Sequence, residues 1–281
     1  MIDMRGKRIG LVLSGGGAKG AYQVGMFRAL EDAGLAGQIT AMSGCSIGAA
    51  AAVSYAAKGV EGYREYLYRF MEMAEEGEML PVDEIERMKM EAEDGKLDKQ
   101  RFLSGERFWQ YEAKGINRFF QEMPLDDRIR LNVCCYNIEK ECAEYFDLSE
   151  MERHEAEAAI VASGSLTFVF PYKKIGDYHY LDGGMIPVMC TDNPKPSAKI
   201  PVEPMFREDV DVILVNFLIA ADTVDTTNKP EGVDYLELRP SRPLEAYPGA
   251  GTLDFSPDKL ASHEALGYAD TEALLKKYCI Y

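Results

Sequence analysis

The sequence predicts an α/β fold in which helices cover a mostly parallel central sheet. Two apolar stretches near the start of the chain, Arg8 to Leu13 and Gln38 to Met42, have the composition of short buried strands. Each stretch runs into a glycine-containing turn that leads to a helical pattern. Two successive strand–turn–helix units of this kind are typical of a parallel sheet covered by helices.

The helices predicted after these two turns differ in character. One face of the first carries the large apolar residues Tyr22, Met26, Phe27 and Leu30. Gly34 is well placed to end that helix. The second helix is predicted at Ile47 to Lys58, where residues 49–52, 56 and 57 are alanine. Such small side chains allow close packing of this helix against the sheet.

Residues 61–124 are predicted to form a helical insertion. This part of the chain has no strand-like run, and its methionine and aromatic residues alternate with dense charge. Breaks between its helices are expected near Pro81, Gly95 and Gly105. The methionine and aromatic side chains suit either a lid with an adaptable apolar surface or simple packing onto the sheet, and packing is the favoured interpretation.

Strands and helices are predicted to alternate again after the insertion. Strands are expected at Arg130 to Tyr136, Cys142 to Phe146, Tyr178 to Leu181, Val210 to Ile219 and Val233 to Leu238. Helices are expected at Glu152 to Ser163 and from Ser256-Pro257 to about Lys277. Five prolines between Pro187 and Pro204 predict a loop.

The composition is that of a globular protein with a substantial core, and residues 1–281 are predicted to form one domain. The chain is 47% hydrophobic and 28% charged. Its 31 basic and 47 acidic residues give a net charge of −16, which argues against a nucleic-acid partner because phosphate binding needs clustered cations. The same charge disfavours docking to anionic lipid, so a transient contact with a membrane or micelle would have to be hydrophobic.

The sequence also predicts a cytoplasmic location. No stretch approaches the roughly 18 apolar residues of a membrane-spanning helix. The apolar run from Ile9 to Leu13 is too short for a signal peptide. The six cysteines include no Cys-x-x-Cys pair, and the adjacent Cys134 and Cys135 would point to opposite faces of a strand. Reduced, mostly buried thiols are therefore the favoured interpretation.

The first turn can direct backbone N–H groups at an anion, and its sequence is Gly15-Gly16-Gly17-Ala18-Lys19-Gly20. By itself this loop fits a nucleotide site, an oxyanion site or a tight connection without a ligand. A dinucleotide site wants an acidic residue about 20 positions further on, where this chain has the Ser46 turn instead. Lys19 could add a positive field, although a salt-bridged or solvent-facing lysine is the favoured interpretation.

The second turn fits the pattern Gly-x-Ser-x-Gly, with the sequence Gly44-Cys45-Ser46-Ile47-Gly48. In a nucleophile elbow, a strained strand-to-helix turn exposes a serine hydroxyl at the start of a helix. The partial positive charge of the helix N-terminus lies where an oxyanion would form. The pattern is common by chance, but its place between a strand and an alanine-rich helix favours a nucleophile.

A serine hydroxyl needs a base, and the sequence offers few candidates. A triad could be written as Ser46, Asp182 and His263, but His263 lies in a polar helical pattern that favours a surface position. His179 lies along a predicted strand. The better candidate is Asp182 in Asp182-Gly183-Gly184, although Asp-Gly is ordinarily a turn signal.

Together the three motifs resemble those of patatin-like phospholipases, which are Ser-Asp dyad acyl hydrolases. Ser14 to Gly20 match the glycine-rich oxyanion loop, Gly44 to Gly48 match the nucleophile elbow, and Asp182 to Gly184 match the aspartate motif. Secondary matches are Ala162-Ser163 leading to Phe170-Pro171, and Gly251 to Phe255. The similarity spans roughly residues 8–60 and 130–275.

The resemblance implies a three-layer α/β/α fold, with Ser46 as nucleophile, Asp182 as general base and the backbone of Gly15 to Ala18 as oxyanion hole. It implies hydrolysis of a lipid or other acyl ester without a cofactor or metal. The alternatives are a catalytically silent lipid- or acyl-binding regulator on the same fold, a Ser-His-Asp esterase, and a nucleotide-binding module.

Two departures from the family pattern bear on the substrate. A short stretch that usually follows the aspartate motif is split here into Asp192-Asn193 and Ile200-Pro201, with Pro194 to Lys199 between them. This extra loop, at about 185–200, is expected to reshape the leaving-group side of the site. Thr167 stands where proline is expected after the small-residue segment.

Overall fold

An eight-stranded sheet is the centre of the computed structural model, which describes residues 1–75, 120, 124, 128–166, 170, 172–185, 198–245 and 251–280. Within those residues the strands are β1 Ile2–Asp3, β2 Ile9–Leu13, β3 Ile39–Cys45, β4 Arg130–Asn137, β5 Cys142–Asp147, β6 Lys173–Ile175, β7 Tyr178–Asp182, β8 Val212–Asn216, β9 Asp234–Leu238 and β10 Cys279–Ile280. The helices are α1 Ala21–Asp32, α2 Ile47–Glu75, α3 Arg153–Ser163 and α4 Pro257–Tyr278.

The centre of the sheet is parallel. Its strand order is β6-β7-β4-β3-β2-β8-β9, with β5 paired to β4, and β4, β3, β2, β8 and β9 all run in the same direction. β5 and β7 are antiparallel to β4, and β6 is antiparallel to β7. The predicted α/β class and mostly parallel sheet are confirmed. β1 and β10 form a separate two-stranded sheet.

Two strands share one edge of β4, and this arrangement builds the site. β3 pairs with the first part of β4 and ends with Cys45 opposite Cys134. β7 approaches from the other direction and ends with Asp182 opposite Cys135. β5 pairs with β4 from Asn132 to Asn137 and so occupies the other edge. The carboxyl ends of β3 and β7 therefore meet at neighbouring residues of β4.

The alternating side chains of β2 divide the core between the two faces of the sheet. Leu11 and Leu13 belong to the large apolar cluster that includes residues of all four helices. Val12 belongs to a second cluster on the opposite face, where the chain from Ile200 to Val210 and the short 3₁₀ helix Glu203–Phe206 cover the sheet. The sheet thus has a layer on each face.

Most predicted elements are present, and most of their ends differ by a few residues. The strand predicted at residues 38–42 continues to Cys45, and the strand predicted at 210–219 is limited to Val212–Asn216. The helix predicted to end at Lys58 continues to Glu75 after a break at Gly59, where φ is 68°. Apart from residues 120 and 124, the remainder of the predicted insertion lies outside the described residues, as do most of the extra loop and Thr167. None of the helices that the structure describes is long and apolar enough to cross a membrane.

The crossing of α1 and α4 depends on two glycines. A Cβ atom at Gly25 would lie 2.0 Å from the Glu264 carbonyl oxygen, and one at Gly267 would lie 1.9 Å from the Tyr22 carbonyl oxygen. We expect Gly267→Ala to lower the free energy of unfolding by about 3 kcal/mol in urea titrations, because backbone must move to admit the methyl group. Gly37→Ala, at an exposed position with no heavy atom within 4 Å, should change it by less than about 0.5 kcal/mol. Equal effects would contradict this packing.

Candidate active site

Ser46 lies in a strained turn between β3 and α2. Its φ of 57° is unusual for a residue other than glycine. Its backbone N–H donates to Ser163 Oγ at 2.9 Å, and the Ser163 hydroxyl donates to the Cys134 carbonyl at 2.7 Å. A side chain from the end of α3 thus ties the turn to β4. The geometry is that of a nucleophile elbow at the start of a helix.

The glycines on either side of Ser46 are required by close backbone contacts. A Cβ atom at Gly44 would lie 2.3 Å from the Gly48 carbonyl oxygen. One at Gly48 would lie 2.1 Å from the Leu13 carbonyl oxygen, at the end of β2. The elbow is therefore compressed against itself and against the strand that leads into the glycine loop. This explains the Gly-x-Ser-x-Gly spacing physically.

Asp182 ends β7 and is 2% exposed. Its Oδ1 accepts the Gly184 N–H at 2.8 Å and the Cys45 thiol at 3.6 Å, while Oδ2 is buried without a hydrogen-bond partner among the described residues. Burial raises the pKa of Asp182 to about 6, against the opposing effects of the Ser46 side chain, the Gly184 amide and the Cys45 thiol. A carboxylate of this pKa can act as a base near neutral pH.

The glycine loop lies against Ser46, and a Cβ atom at Gly15 would be 3.1 Å from Ser46 Cβ. Two of the loop's four candidate donors are already used, because the Gly15 N–H donates to the Lys199 carbonyl and the Ala18 N–H to the Thr252 carbonyl, each at 2.8 Å. The N–H groups of Gly16 and Gly17 have no backbone partner among the described residues. They are the donors that an oxyanion could use.

Gly17 must be glycine, since its φ is 59° and a Cβ atom would lie 2.0 Å from the Thr252 carbonyl oxygen. Lys19 is 2% exposed and its Nζ pairs with Glu245 at 2.7 Å and with Thr252 Oγ1 at 3.1 Å. The salt-bridged interpretation of Lys19 is therefore confirmed. Thr252 belongs to the segment Gly251 to Phe255, one of the secondary matches to the family pattern. This segment thus helps to hold the glycine loop in place.

A buried polar network under the loop could not be recognised from the sequence. Gln23 Nε2 donates to the Ser14 carbonyl and to Asn216 Oδ1, each at 3.0 Å. The Tyr63 hydroxyl lies 3.0 Å from the Gly20 carbonyl and 3.2 Å from Gln23 Oε1. Both ends of the glycine loop are thus held by fully buried side chains. The sequence shows only that Gln23 lies among the apolar residues of one face of α1, which does not reveal its partners.

The three histidines contact other groups. His179 Nδ1 lies 2.5 Å from Glu139 Oε1 in a half-exposed pair, and His154 is exposed. The surface position predicted for His263 is wrong. It is 7% exposed and close to the backbone of Ala18 and Leu244, and burial lowers its pKa. None of the three hydrogen-bonds to Ser46 or Asp182.

Ser163 offers a test of how the elbow is held. Without its hydroxyl the Ser46 N–H loses its acceptor, so we expect Ser163→Ala to lower kcat by about 10- to 100-fold with little change in KM. Ser165 is the matched control because it is also buried, and its hydroxyl donates to the Val161 carbonyl instead, at 2.9 Å. Steady-state kinetics of both variants check this, and equal losses of kcat would contradict it.

Comparison with known protein families matches the part of the chain that carries these three motifs. The patatin-like phospholipase family model matches residues 11–193, which include all three motifs and more than half of the chain. The chain belongs to the patatin-like phospholipase family. The described residues contain no group of three or more histidine, cysteine or acidic side chains placed to hold a metal ion.

The curated relatives are matched over short segments. The chain is 56% identical over 43 residues to lysophospholipase NTE1 of Cryptococcus neoformans var. neoformans serotype D, a match that covers 15% of this chain and 2% of the relative. It is 51% identical over 51 residues to lysophospholipase NTE1 of Phaeosphaeria nodorum, covering 18% and 3%. The matches thus span only a small part of these relatives' length.

Solved structures match over nearly the whole chain at low identity. VipD from Legionella pneumophila has a TM-score of 0.48 and 16% identity, with 97% of this chain and 67% of that chain covered. ExoU in the ExoU–SpcU complex from Pseudomonas aeruginosa has a TM-score of 0.46 and 17% identity, with 96% and 52% covered.

Proposed function

We propose that this protein is a lipid acyl hydrolase that cleaves carboxylic esters through an acyl-serine intermediate, with Ser46 as nucleophile and Asp182 as general base. The observation that carries the proposal is the buried Asp182 carboxyl beside a strained serine at a helix start. Its pKa is raised to about 6, and its Oδ2 has no hydrogen-bond partner among the described residues. Membership of the patatin-like phospholipase family supports the same reaction.

In the proposed reaction Asp182 accepts the Ser46 proton as the hydroxyl oxygen attacks the ester carbonyl. The N–H groups of Gly16 and Gly17 and the N-terminus of α2 stabilise the tetrahedral oxyanion, an effect worth roughly 10²–10³ in rate for each donor. Collapse of this intermediate releases the alcohol, which takes the proton from Asp182. Asp182 then accepts a proton from water as the water oxygen attacks the acyl-serine, and it returns that proton to Ser46 Oγ when the fatty acid leaves.

Both curated relatives are lysophospholipases by name, which favours a lysophospholipid substrate. The proposal also includes phospholipase A and general esterase activities. A single domain with a helical, cap-like insertion at about residues 61–124 is likewise proposed from the sequence. A cytoplasmic location is proposed because the five cysteines in the described part of the chain are free thiols. Release of fatty acid from lysophospholipid and from medium-chain p-nitrophenyl esters is the direct test.

A catalytically silent lipid-binding regulator is the alternative from another class. A fluorophosphonate probe separates the two, since an active nucleophile forms a covalent adduct and a silent site does not. We expect peptide mapping to locate the adduct on Ser46. Lipid binding without either labelling or ester turnover would support the regulator and contradict the proposal. Replacing each histidine with glutamine tests the triad alternative, which requires one of these variants to be inactive.

The pH dependence of activity follows from the role of Asp182. The base must be ionised, and its folded-state pKa is raised to about 6. We therefore expect kcat/KM to fall about tenfold for each pH unit below 6 and to level off above about pH 7. Stopped assays in constant ionic strength buffers between pH 4.5 and 8.5 measure this profile. An acid limb centred near pH 4 would mean that the base is an ordinary exposed carboxylate.

A further inference from the structure

The Cys45 thiol contacts the proposed base but has no part in the reaction described above. Cys45 is the last residue of β3 and directly precedes Ser46. Its side chain is fully buried, and its Sγ donates to Asp182 Oδ1 at 3.6 Å. The residue before the nucleophile thus contacts the residue that must take the nucleophile's proton.

The two oxygens of the Asp182 carboxyl have different surroundings. Oδ1 accepts two hydrogen bonds, from the Gly184 amide and from the Cys45 thiol. Oδ2 is buried and accepts none from the described residues. An unpaired buried carboxylate oxygen is costly, so its presence beside a strained serine indicates a proton acceptor.

We propose that Cys45 is a positioning residue that, together with the Gly184 amide, holds Oδ1 of Asp182 so that Oδ2 is the oxygen that takes the Ser46 proton. This inference rests on the proposed function. The thiol donates a hydrogen bond to Oδ1, which stabilises the ionised carboxylate. Oδ2 then stays available to accept the proton of Ser46. Cys45 itself forms no bond with the substrate.

The turn after Asp182 is shaped to admit this contact. A Cβ atom at Gly183 would lie 2.6 Å from Cys134 Sγ and 3.0 Å from Cys45 Sγ. One at Gly184 would lie 3.2 Å from Asp182 Oδ1. Glycine at both positions therefore lets the turn close over the thiols and the carboxyl together, which gives the Asp-Gly-Gly motif a role here beyond forming a turn.

The thiol remains protonated and able to donate. Its hydrogen bond with Cys134, its burial and the nearby Asp182 charge raise the pKa of Cys45 well above its ordinary value. Cys134 competes as an acceptor, but a carboxylate accepts hydrogen bonds far better than a thiol sulfur. Among the described residues, titratable groups close to Cys45 or Asp182 also include Cys135 on β4, Tyr145 on β5 and Lys199, whose Nζ pairs with Asp222 at 2.7 Å.

The test is the pH profile of kcat/KM for the full-length protein and its Cys45 variants. In Cys45→Ala the ionised carboxylate loses a donor, so the midpoint of the acid limb should rise by about half to one pH unit. Cys45→Ser keeps a donor and should stay within about 0.3 unit of the parent. Cys135→Ala is the matched control, because that thiol is equally buried but contacts the Ala159 carbonyl at 3.3 Å, and it should leave the midpoint unchanged.

An unchanged acid limb in Cys45→Ala, or an equal shift in Cys135→Ala, overturns the inference. Asp182→Asn identifies which proposal has failed. An inactive Asp182→Asn together with an unshifted Cys45→Ala means that only the role of Cys45 is wrong. An Asp182→Asn variant that keeps its activity means that Asp182 is not the base, and then both proposals fail.

A spectroscopic measurement on the parent protein covers the case in which Cys45→Ala does not fold. The infrared S–H stretching band of Cys45, assigned by its loss in Cys45→Ser, should move to lower frequency as Asp182 ionises and becomes a stronger acceptor. Its midpoint should equal that of the acid limb. A band that stays constant through this pH range contradicts the inference.

Discussion

Ser46→Ala should lower kcat/KM for ester hydrolysis by at least about 10⁴-fold, because no other group can form the acyl-enzyme once the hydroxyl is removed. The variant should also fail to react with a fluorophosphonate. Its fold should be retained, since the backbone N–H that donates to Ser163 Oγ is still present. Continuous assay with a p-nitrophenyl ester and intact-mass analysis of the labelled protein measure both effects.

Ser43→Ala is the matched control for this experiment. Ser43 lies three residues earlier, on β3, and is fully buried, whereas Ser46 is partly exposed. Its hydroxyl donates to the Pro201 carbonyl at 2.7 Å. Loss of the Ser43 hydroxyl should reduce stability by about 1 kcal/mol and leave labelling at Ser46 intact. Substantial turnover by Ser46→Ala, or equal losses in both variants, would show that Ser46 is not the nucleophile.

The strands and turns that carry the motifs could be predicted from the sequence alone, because each motif lies at the end of a strand along the chain. Pattern reasoning could also foresee that Gly44 and Gly48 flank a tight turn. The closeness of the backbone contacts at this turn could not be predicted, because Gly48 lies against the end of β2, which is a different part of the chain. Local elements were predictable because they depend on local periodicity.

The proposed pairing of Ser46 with Asp182 could not be predicted from local sequence patterns alone. The two residues meet because β3 and β7 share one edge of β4, an arrangement set by strand pairing over long separations. The resemblance to a family supplied that pairing at the sequence level, whereas an Asp-Gly turn alone did not. The hydrogen bonds that engage Gly15 and Ala18 are equally non-local, and they narrow the proposed oxyanion donors to Gly16 and Gly17.

His263 shows how a polar helix can mislead. Its charged neighbours favoured a surface position, but His263, Gly267 and Thr271 are spaced four residues apart and form a buried face of α4. The signal was Gly267, since a glycine within a helix costs stability unless close packing requires it. Here the requirement is the approach of α4 to the backbone at Tyr22.

Asp182→Asn should lower kcat/KM by about 10³-fold, because the amide cannot accept the Ser46 proton. Labelling at Ser46 should slow in parallel, since the probe also needs an activated hydroxyl. Both rates can be measured on one preparation. A variant that hydrolyses esters at close to the parent rate would exclude Asp182 as the base.

The same substitution should increase stability, and the increase should depend on pH. The folded-state pKa of Asp182, about 6, lies above its ordinary value of 3.8, so the folded state loses stability as pH rises and the buried carboxyl ionises. The neutral amide avoids this cost, which approaches about 3 kcal/mol at pH 8 and is about half as large at pH 5. Urea titrations of both proteins at these two pH values test the difference. A stability gain that is the same at both would mean that Asp182 titrates at an ordinary pKa, whereas the expected pattern would show that the fold sacrifices stability to keep a base ionised beside Ser46.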